Sequence, residues 1–445
     1  MQTILILGAG LSASSLIKYL LDHAKDNDWN IHIADRNLAL IEQKINGNPN
    51  GLALEMDALN RTARLPEIQK ADLVISMLPA TFHPEIAQDC LEHGKHLITP
   101  SYVSHAMHEM NEEVSKKGLI FMNEMGVDPG IDHMSAMQII HDLREKGAHI
   151  ESFKSYCGGL VAPESDNNPW NYKFTWNPRN VVLAGQGGAA QYIEQNQYKY
   201  LPSSAIFERI ESIEMPGVGH YDGYANRDSL SYRKVYGLET IPTIFRGTLR
   251  GSGFCDAWNC FVQLGLTDDG YKMEHSETLT PRMLVNAFLP YNETMSVEDK
   301  FKLRFPTLSQ KQFDKFVWLG LFENTKPIAG ADMSPAQLLQ AILEPKLKLD
   351  PSDKDLILMH HIFEYSINGK RFRLESSLVN IGTDAVYTAM SNTVGLPMGI
   401  CAKMILKGEI KEKGVLMPIS EAIYTPILEE LKSFGIHFTE ALTEL

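Results

Sequence analysis

The first 126 residues alternate short, continuously apolar runs with longer segments in which apolar residues recur at helical spacing. Continuous apolar runs are typical of parallel strands that are buried on both faces. We therefore predict strands at residues 3–7, 31–34, 52–56, 71–78, 96–99 and 119–123. The longer segments predict helices, and strands that alternate with helices in this way indicate an α/β fold with an open parallel sheet wound on both sides.

The pattern changes after residue 126. About a hundred residues rich in Gly, Asn, Pro and aromatic side chains show no strand–helix repeat, and residues 269–352 are then predicted to be helical throughout. Serine and threonine N-cap signals precede the apolar runs of that helical segment, at Thr280, Ser309 and Ser334. Residues 362–378 predict a hairpin that turns at Asn368-Gly369, and helices return from about residue 385.

A turn of the form GxGxxA, Gly8-Ala9-Gly10-Leu11-Ser12-Ala13, follows the first predicted strand and opens a helix. The first glycine permits the tight turn, the second lets the backbone approach a pyrophosphate, and the small third position lets the helix close on the strand. The helix N-terminus then faces the phosphates. We infer a dinucleotide-binding Rossmann sheet with Gly8, Gly10, Leu11 and Ser12 as contacts. The alternative is a glycine turn with a purely structural role.

Asp35 and Arg36 end the second predicted strand, where such sheets meet the adenosine ribose. A carboxylate at this position accepts hydrogen bonds from the ribose hydroxyls and repels a 2′-phosphate, which favours NAD. Arg36 can instead bind that phosphate. The sequence therefore leaves NAD and NADP open and favours NAD slightly.

Ligands of doubly wound sheets bind at the carboxyl ends of the strands. Further cofactor contacts are therefore predicted after the later strands, at Ser76, Met77, Leu78, Val127, Asp128 and Pro129. Structural alternatives exist for both segments, because Pro79 can simply end a strand and Asp128 can cap a helix before Pro129.

Charge adds a second kind of site. The 445 residues include 41 Lys and Arg against 55 Asp and Glu, a formal net charge of −14, which argues against nucleic acid or an anionic membrane as the main partner. Residues 227–250 depart from this balance, with five basic side chains against two acidic ones. This stretch is either a solvated face or a carboxylate-binding segment, in which Arg227 and Arg250 lie in Asn- and Gly-rich loops that suit forked guanidinium recognition.

Other features exclude several classes of protein. Five cysteines without a CxxC motif leave one unpaired in any disulfide scheme, which indicates reduced thiols in a cytoplasmic protein. The sequence shows no secretion signal and no apolar run near the ~18–20 residues that span a bilayer. Cys157 is either a reactive thiol or an inert buried cysteine. No metal site is expected, because His105 and His108 lack a third ligand and His360 and His361 point to opposite faces of a strand.

Together these motifs resemble the L-glutamate-forming saccharopine dehydrogenases, also called saccharopine reductases, of lysine metabolism. The resemblance covers nearly the full length. Its distinctive segments, in chain order, are DLVISMLP at 72–79, SYVS at 101–104, EMGVDPGIDH at 124–133, SYCGGL at 155–160, APES at 162–165, NP at 168–169, YKF at 172–174, NRDS at 226–229, RGTLR at 246–250 and VGLP at 394–397. So many segments in one order are more specific than a dinucleotide fingerprint.

The resemblance implies that saccharopine, NAD(P)⁺ and water give L-glutamate, 2-aminoadipate 6-semialdehyde and NAD(P)H. It places saccharopine against Ser101, Tyr102, Asp128, Cys157, Arg227, Thr248, Leu249 and Arg250. Hydrolysis of the imine needs proton transfer but no covalent nucleophile, and Asp128 and Tyr102 are the catalytic candidates for that transfer or for orienting the water.

The resemblance also implies a homodimer of three-domain chains. The three domains of each chain are a Rossmann domain (1–127 plus 385–445), a mixed α/β substrate-binding and dimerisation domain (128–268 plus 353–384) and a small helical domain (269–352).

Two features depart from the family pattern. NADP-dependent relatives place a small residue before the arginine where this chain has Asp35, and Ser14-Ser15 replaces Arg-Pro or Glu-Pro; these changes bear on cofactor choice and phosphate contacts.

One alternative function is reduction of a different imine, as in carboxynorspermidine dehydrogenases, which would not be expected to keep the substrate-side segments together. The other is a non-catalytic dinucleotide-binding sensor.

Overall fold

A computed structural model describes residues 1–215, 217–226, 228–328 and 330–445. The chain forms two compact units, the first made of Met1–His149 and Leu378–Thr439 and the second of Ile150–Ser377 and Glu440–Leu445. The finer division into three domains, with the helical segment as a domain of its own, stays a prediction.

The strands of the described chain, in order, are β1 (Gln2–Leu7), β2 (Trp29–Asp35), β3 (Gly51–Glu55), β4 (Leu73–Ser76), β5 (His96–Ile98), β6 (Ile120–Met122), β7 (His149–Val161), β8 (Ala190–Glu194), β9 (Gln197–Leu201), β10 (Ile210–Met215), β11 (Gly219–Ala225), β12 (Thr243–Gly251), β13 (Asp355–Ile367), β14 (Lys370–Ile381), β15 (Gly414–Leu416) and β16 (Phe438–Glu444).

The α-helices are α1 (Ser14–Asn27), α2 (Leu38–Ile45), α3 (Arg61–Lys70), α4 (His83–His93), α5 (His105–Glu109), α6 (Asn111–Lys116), α7 (Ile131–Glu145), α8 (Pro178–Val182), α9 (Tyr232–Val235), α10 (Phe254–Leu264), α11 (Pro281–Ala287), α12 (Val297–Arg304), α13 (Gln310–Trp318), α14 (Pro335–Leu347), α15 (Ala389–Leu406) and α16 (Glu421–Lys432).

The first unit is built on a seven-stranded sheet of order β15-β6-β5-β4-β1-β2-β3. Every neighbouring pair in it is parallel, as the continuous apolar runs predicted, and the α/β Rossmann fold class is confirmed. The chain winds outward in both directions from β1, so the strand order reverses between β1 and β4. Ligands of open α/β sheets bind at such a reversal, beyond the carboxyl ends of the strands.

The C-terminal part of the chain completes this sheet. Strand β15 extends the edge next to β6, and α15 packs against α1. The two helices approach closely because α15 carries glycines at the contact. A Cβ added at Gly395 would lie 2.7 Å from the backbone nitrogen of Leu16, and one at Gly399 would lie 2.5 Å from the Tyr19 ring.

The second unit is built on a mixed sheet of order β10-β11-β12-β7-β13-β14-β16, with β8 pairing to β12 and β9. Strand β12 runs parallel to β7 and antiparallel to β11. The predicted hairpin is confirmed: Asn368 and Gly369 join β13 and β14 with φ of 52° and 77°, the two positive values that a type I′ turn requires.

Helices α10 to α14 share one hydrophobic core in the second unit. Its centre is aromatic, with the Trp170 ring stacked on Phe261 at 5.6 Å and edge-on to Phe316 at 5.6 Å. The N-cap predictions for these helices are confirmed, since Ser309 and Ser334 each form a complete capping box and the Thr280 hydroxyl accepts from the backbone of the first turn of α11.

Candidate functional site

The glycine turn after β1 leaves room for a phosphate. Gly8 has φ of 101° and lies against the next strand, where an added Cβ would be 3.2 Å from the Met77 carbonyl oxygen. At Gly10 an added Cβ would meet no atom within 4 Å. Leu11, which opens the helical segment, is 54% exposed, and no side chain of the described residues caps that helix end. These observations fit a pyrophosphate held by backbone N–H groups.

Asp35 braces this turn from the end of β2. Its Oδ2 accepts a hydrogen bond from the Ala9 N–H at 2.8 Å, and its Oδ1 accepts from the Asn37 N–H at 3.0 Å. The neighbouring Arg36 is exposed and forms an ion pair with Asp57 at 2.9 Å. Asp35 is thus fixed at the carboxyl end of β2 by two backbone N–H groups, while Arg36 is held by a solvent-exposed partner.

Lys44 is a residue of this site that the sequence did not reveal. Its Nζ donates to the carbonyl oxygens of Ala9, at 2.7 Å, and Gly10, at 2.6 Å. Burial lowers the pKa of the Lys44 ammonium to about 8, although the nearby Asp35 raises it. A lysine in the last turn of an amphipathic helix is ordinary, so nothing local marked it.

His83 is a second residue that the sequence did not reveal, and it joins two strand ends. The Nδ1 atom lies 2.9 Å from the Oγ of Ser76, which ends β4, and Nε2 lies 2.9 Å from the Oγ of Ser101, which follows β5. His83 is 3% exposed, and burial lowers the pKa of its imidazole to about 4. The predicted cofactor-side Ser76 and substrate-side Ser101 are therefore linked through one neutral side chain.

Tyr102 and Asp128 also meet at this edge of the sheet. The Tyr102 hydroxyl donates to Oδ1 of Asp128 at 3.1 Å. Asp128 does not cap the following helix, because α7 begins at Ile131 and its N-cap is Gly130; the capping interpretation is wrong. Asp128 is partly exposed between the buried Val127 and Pro129, and its carboxylate is bonded to the Tyr102 hydroxyl.

A buried pair holds the Ser101–Val103 segment in place. The Glu124 N–H donates to the Ser101 carbonyl at 3.0 Å, and Oε1 of Glu124 accepts from the Val103 N–H at 3.0 Å. Oε2 of Glu124 lies 2.7 Å from Nε2 of His133, which is fully buried. The segment that carries Ser101 and Tyr102 is therefore attached to Glu124 by backbone and side-chain bonds, and Glu124 connects it to the start of α7 through His133.

The predicted substrate residues of the second unit lie on adjacent strands. Cys157 on β7 is the register partner of Thr248 on β12, and the two strands are close enough that a Cβ at Gly158 would be 2.7 Å from the Leu249 carbonyl oxygen. Cys157 and Leu249 are buried. Arg227, the remaining residue predicted to bind saccharopine, lies outside the described residues.

Arg250 lies within strand β12, so its predicted position in a loop is wrong. It is a buried cation without a carboxylate partner in the described chain. It is 5% exposed, one NH group donates to the Leu249 carbonyl at 3.0 Å, and its Nε has no hydrogen-bond partner among the residues that the structure describes. The guanidinium lies over the rings of Tyr172 at 5.4 Å and Phe254 at 5.7 Å. The Tyr172 hydroxyl is also buried and has no hydrogen-bond partner in the described part of the chain, and burial raises its pKa to about 12.

The carboxylate nearest in register to Arg250 is occupied elsewhere. Asp222 pairs with Arg250 across β11 and β12, but its Oδ2 accepts from the Gly253 N–H at 2.8 Å. Burial raises the pKa of Asp222. Lys315 donates to the Gly253 carbonyl at 2.9 Å, and burial lowers its pKa. The Arg250 guanidinium therefore keeps donors available inside an aromatic enclosure.

The described residues contain neither a metal-binding cluster nor a membrane-spanning helix. No group of three His, Cys, Asp or Glu side chains among the described residues is placed to hold a metal ion. Of the histidines considered earlier, His105 pairs with Glu109 at the surface and His360 hydrogen-bonds to Ser377 on the neighbouring strand. None of the described helices has the length and apolar character needed to cross a membrane.

Comparison with known proteins identifies the family. Residues 4–122 match the model of the saccharopine dehydrogenase NADP binding domain, and residues 126–436 match that of the saccharopine dehydrogenase C-terminal domain. The Schizosaccharomyces pombe protein named saccharopine dehydrogenase (NADP(+), L-glutamate-forming) is 34% identical over 459 residues, covering 100% of both chains. The mitochondrial alpha-aminoadipic semialdehyde synthase of Mus musculus is 33% identical over 99% of this chain and 48% of its own length.

A solved structure supports the same family assignment. The apo histidine-tagged saccharopine dehydrogenase (L-Glu forming) from Saccharomyces cerevisiae superposes with a TM-score of 0.87 at 30% identity, covering 100% of each chain. The match extends over both units. The prediction made from the motifs is confirmed: this chain belongs to the saccharopine dehydrogenase family.

Proposed function

We propose that this protein is an NAD(P)-dependent, L-glutamate-forming saccharopine dehydrogenase. It would convert saccharopine, NAD(P)⁺ and water into L-glutamate, 2-aminoadipate 6-semialdehyde and NAD(P)H. The S. pombe and S. cerevisiae relatives carry the name of this activity. The observation in this chain that carries the proposal is the buried guanidinium of Arg250, which has no carboxylate partner among the described residues.

A buried charge without a partner costs several kcal/mol unless a ligand supplies the counter-charge. Arg250 is enclosed by Tyr172 and Phe254, and its Nε is still available. Saccharopine carries three carboxylates, and a guanidinium fork binds a carboxylate through two parallel hydrogen bonds. We assign Arg250 to one of these carboxylates, with Thr248, Leu249, Cys157 and Arg227 as neighbouring substrate contacts.

The dinucleotide is assigned to the first unit. The pyrophosphate would be held by the glycine turn, at Gly8, Gly10, Leu11 and Ser12. The adenosine ribose would contact Asp35 and Arg36. The nicotinamide side would contact the residues that follow two later strands, Ser76, Met77, Leu78, Val127, Asp128 and Pro129. When bound, the dinucleotide supplies the hydride chemistry of the reaction. The chain's contribution there is to bind and orient it, since the open space at Gly10 and the brace from Asp35 are already in place.

Tyr102 and Asp128 are assigned to the hydrolytic half of the reaction. Opening a C=N bond with water requires that the water lose a proton and that the departing amine gain one. The Asp128 carboxylate can accept such a proton. The Tyr102 hydroxyl donates to Oδ1 of this carboxylate at 3.1 Å and thereby orients it. Ser101 in the same segment is assigned to a saccharopine carboxylate.

We further propose, following the resemblance, that the enzyme works as a cytoplasmic homodimer and that its chain is divided into three domains. Sedimentation of the purified protein tests the dimer directly.

One assay tests the function. Purified protein is mixed with L-glutamate, 2-aminoadipate 6-semialdehyde and either NADH or NADPH, and cofactor oxidation is followed alongside saccharopine formation. Turnover supports the proposal. Turnover of only the amine and aldehyde of carboxynorspermidine would identify an imine reductase of another pathway, and tight dinucleotide binding with no turnover of either set would identify a sensor.

A further inference from the structure

His83 determines which way the hydroxyl groups at two strand ends point. Its imidazole is buried between Ser76 Oγ and Ser101 Oγ, each 2.9 Å from a ring nitrogen. A neutral imidazole has one N–H donor and one acceptor nitrogen. The ring must therefore donate to one serine and accept from the other, and the two possible arrangements leave different serines with a hydrogen to give away.

Burial decides between these arrangements. Ser76 is fully buried, and its Oγ has no other hydrogen-bond partner among the described residues, whereas Ser101 is partly exposed. If Nδ1 carried the proton, the Ser76 hydrogen would be buried without an acceptor, which costs free energy. If Nε2 carries the proton, Ser76 donates to Nδ1, Nε2–H donates to Ser101, and the one spare hydrogen sits on the exposed Ser101 hydroxyl.

We propose that His83 is a positioning residue which, as the Nε2–H tautomer, makes Ser101 a hydrogen-bond donor toward a carboxylate of saccharopine. This inference rests on the function proposed above. A Ser101 hydroxyl that already accepts from His83 can only turn its hydrogen outward, where a carboxylate oxygen is the fitting acceptor. The imidazole stays uncharged, so the arrangement does not change over the working pH range.

Two near-isosteric substitutions separate the two bonds of His83. A glutamine side chain can place its amide nitrogen near the position of Nε2, and an asparagine side chain can place a polar atom near that of Nδ1. We expect His83→Gln to keep the KM for saccharopine within about threefold of native. We expect His83→Asn, like Ser101→Ala, to raise it about tenfold or more, as for a lost bond to a charged group.

The control measurements isolate the route of the effect. Dinucleotide Kd should stay within about twofold in His83→Asn and Ser101→Ala, which both keep a partner for Ser76, and His83→Asn should add no further rise to KM once Ser101 is alanine. Equal KM values for His83→Gln and His83→Asn, or a full additional rise in the double variant, would overturn the proposal. Failure of the native enzyme to turn over saccharopine would instead overturn the proposed function itself.

Spectroscopy keeps the inference testable if His83→Asn does not fold. In protein labelled with ¹⁵N-histidine, the signals lost in His83→Gln should be those of an imidazole protonated at Nε2 only. An imidazole protonated at Nδ1, or at both nitrogens, would contradict the proposal whatever the kinetics show.

Discussion

The ammonium nitrogen of Lys44 lies 2.6 Å from the carbonyl oxygen of Gly10, directly beneath the turn that we assign to the pyrophosphate. The lysine thereby ties two carbonyl oxygens of the turn together, and it would add a positive charge beside phosphates bound there. Because burial lowers the pKa of Lys44 to about 8, this charge is present in the free protein at neutral pH and lost in alkaline solution.

We therefore expect dinucleotide affinity to weaken as the pH rises through about 8. Bound phosphates favour the charged ammonium and raise its pKa, so that above pH 8 binding takes up a proton and the Kd rises by up to about tenfold per pH unit. Fluorescence titration with NADH between pH 7 and 9.5 measures this slope. The variant Lys44→Arg, whose guanidinium stays charged, should show a flatter profile. A native Kd that is constant over this range would show that Lys44 does not sense the phosphates.

The two glycines of the turn should respond differently to the same substitution. Gly10 has φ of −62° and no atom within reach of an added Cβ, so Gly10→Val should fold with a near-native melting temperature and lose dinucleotide binding. Gly8 has φ of 101° and lies against the Met77 carbonyl, so Gly8→Val should cost roughly 1–3 kcal/mol of unfolding free energy in backbone strain alone. Thermal melts and NADH titration of both variants decide the matter, and native affinity in Gly10→Val would contradict the Rossmann site.

Loss of the buried guanidinium should affect saccharopine and not the dinucleotide. We expect Arg250→Ala to raise the KM for saccharopine about 10- to 150-fold, the range for a lost charge-assisted bond of about 1.5–3 kcal/mol, with dinucleotide Kd nearly unchanged. The same result is predicted for Arg227→Ala. Arg233 offers a matched control in the same basic stretch, since it packs on the exposed Tyr198 ring, and Arg233→Ala should leave KM at its native value. If neither Arg250→Ala nor Arg227→Ala changes KM, the carboxylates bind elsewhere.

Cofactor preference should depend on the charges at the end of β2. The prediction is a modest preference of the native enzyme for NADH. Asp35→Ala should shift it toward NADPH by removing repulsion from the 2′-phosphate, and Arg36→Ala should weaken NADPH more than NADH. Each charge is worth on the order of 1–2 kcal/mol at a partly exposed site, or about tenfold. Because Arg36 pairs with Asp57, Asp57→Ala should release the arginine and tighten NADPH. A native preference for NADPH that Asp35→Ala leaves unchanged would show that Asp35 does not face the ribose.

The strands of the first unit up to β6 could be predicted because their signals are local, whereas β15 was missed, since the chain from about residue 385 was predicted to be helical. Strands buried on both faces give continuous apolar runs, and the runs at 3–7 and 31–34 lie within β1 and β2. The second unit gave weaker signals. The hairpin of β8 and β9 turns at Gln195 and Asn196, with φ of 48° and 65°. Glutamine is not among the residues that favour a left-handed turn. Asn196 suits a left-handed position, but with glutamine before it the pair is weaker as a turn signal than Asn368-Gly369.

The candidate site divides along the same line. The glycine turn and Asp35 were predictable, because a short motif next to a strand contains its own geometry. His83 and Lys44 were not, since each acts on a partner from another part of the sheet: His83 joins residues that are separated by an entire helix, and Lys44 reaches back from α2 to the turn before α1. Each side chain alone has an ordinary environment in the sequence, and only the fold gives it a role.

The position of β15 and α15 has a consequence for the order in which the protein can be made. The ribosome synthesises all of β1 to β6 first, but the strand and the helix that complete their sheet follow only after the main segment of the second unit. At about 5–20 residues per second, the delay is on the order of tens of seconds. During that time the face of α1 that α15 will cover and the edge of β6 that β15 will pair are open to solvent. The sheet of the first unit therefore stays incomplete until most of the second unit has been synthesised.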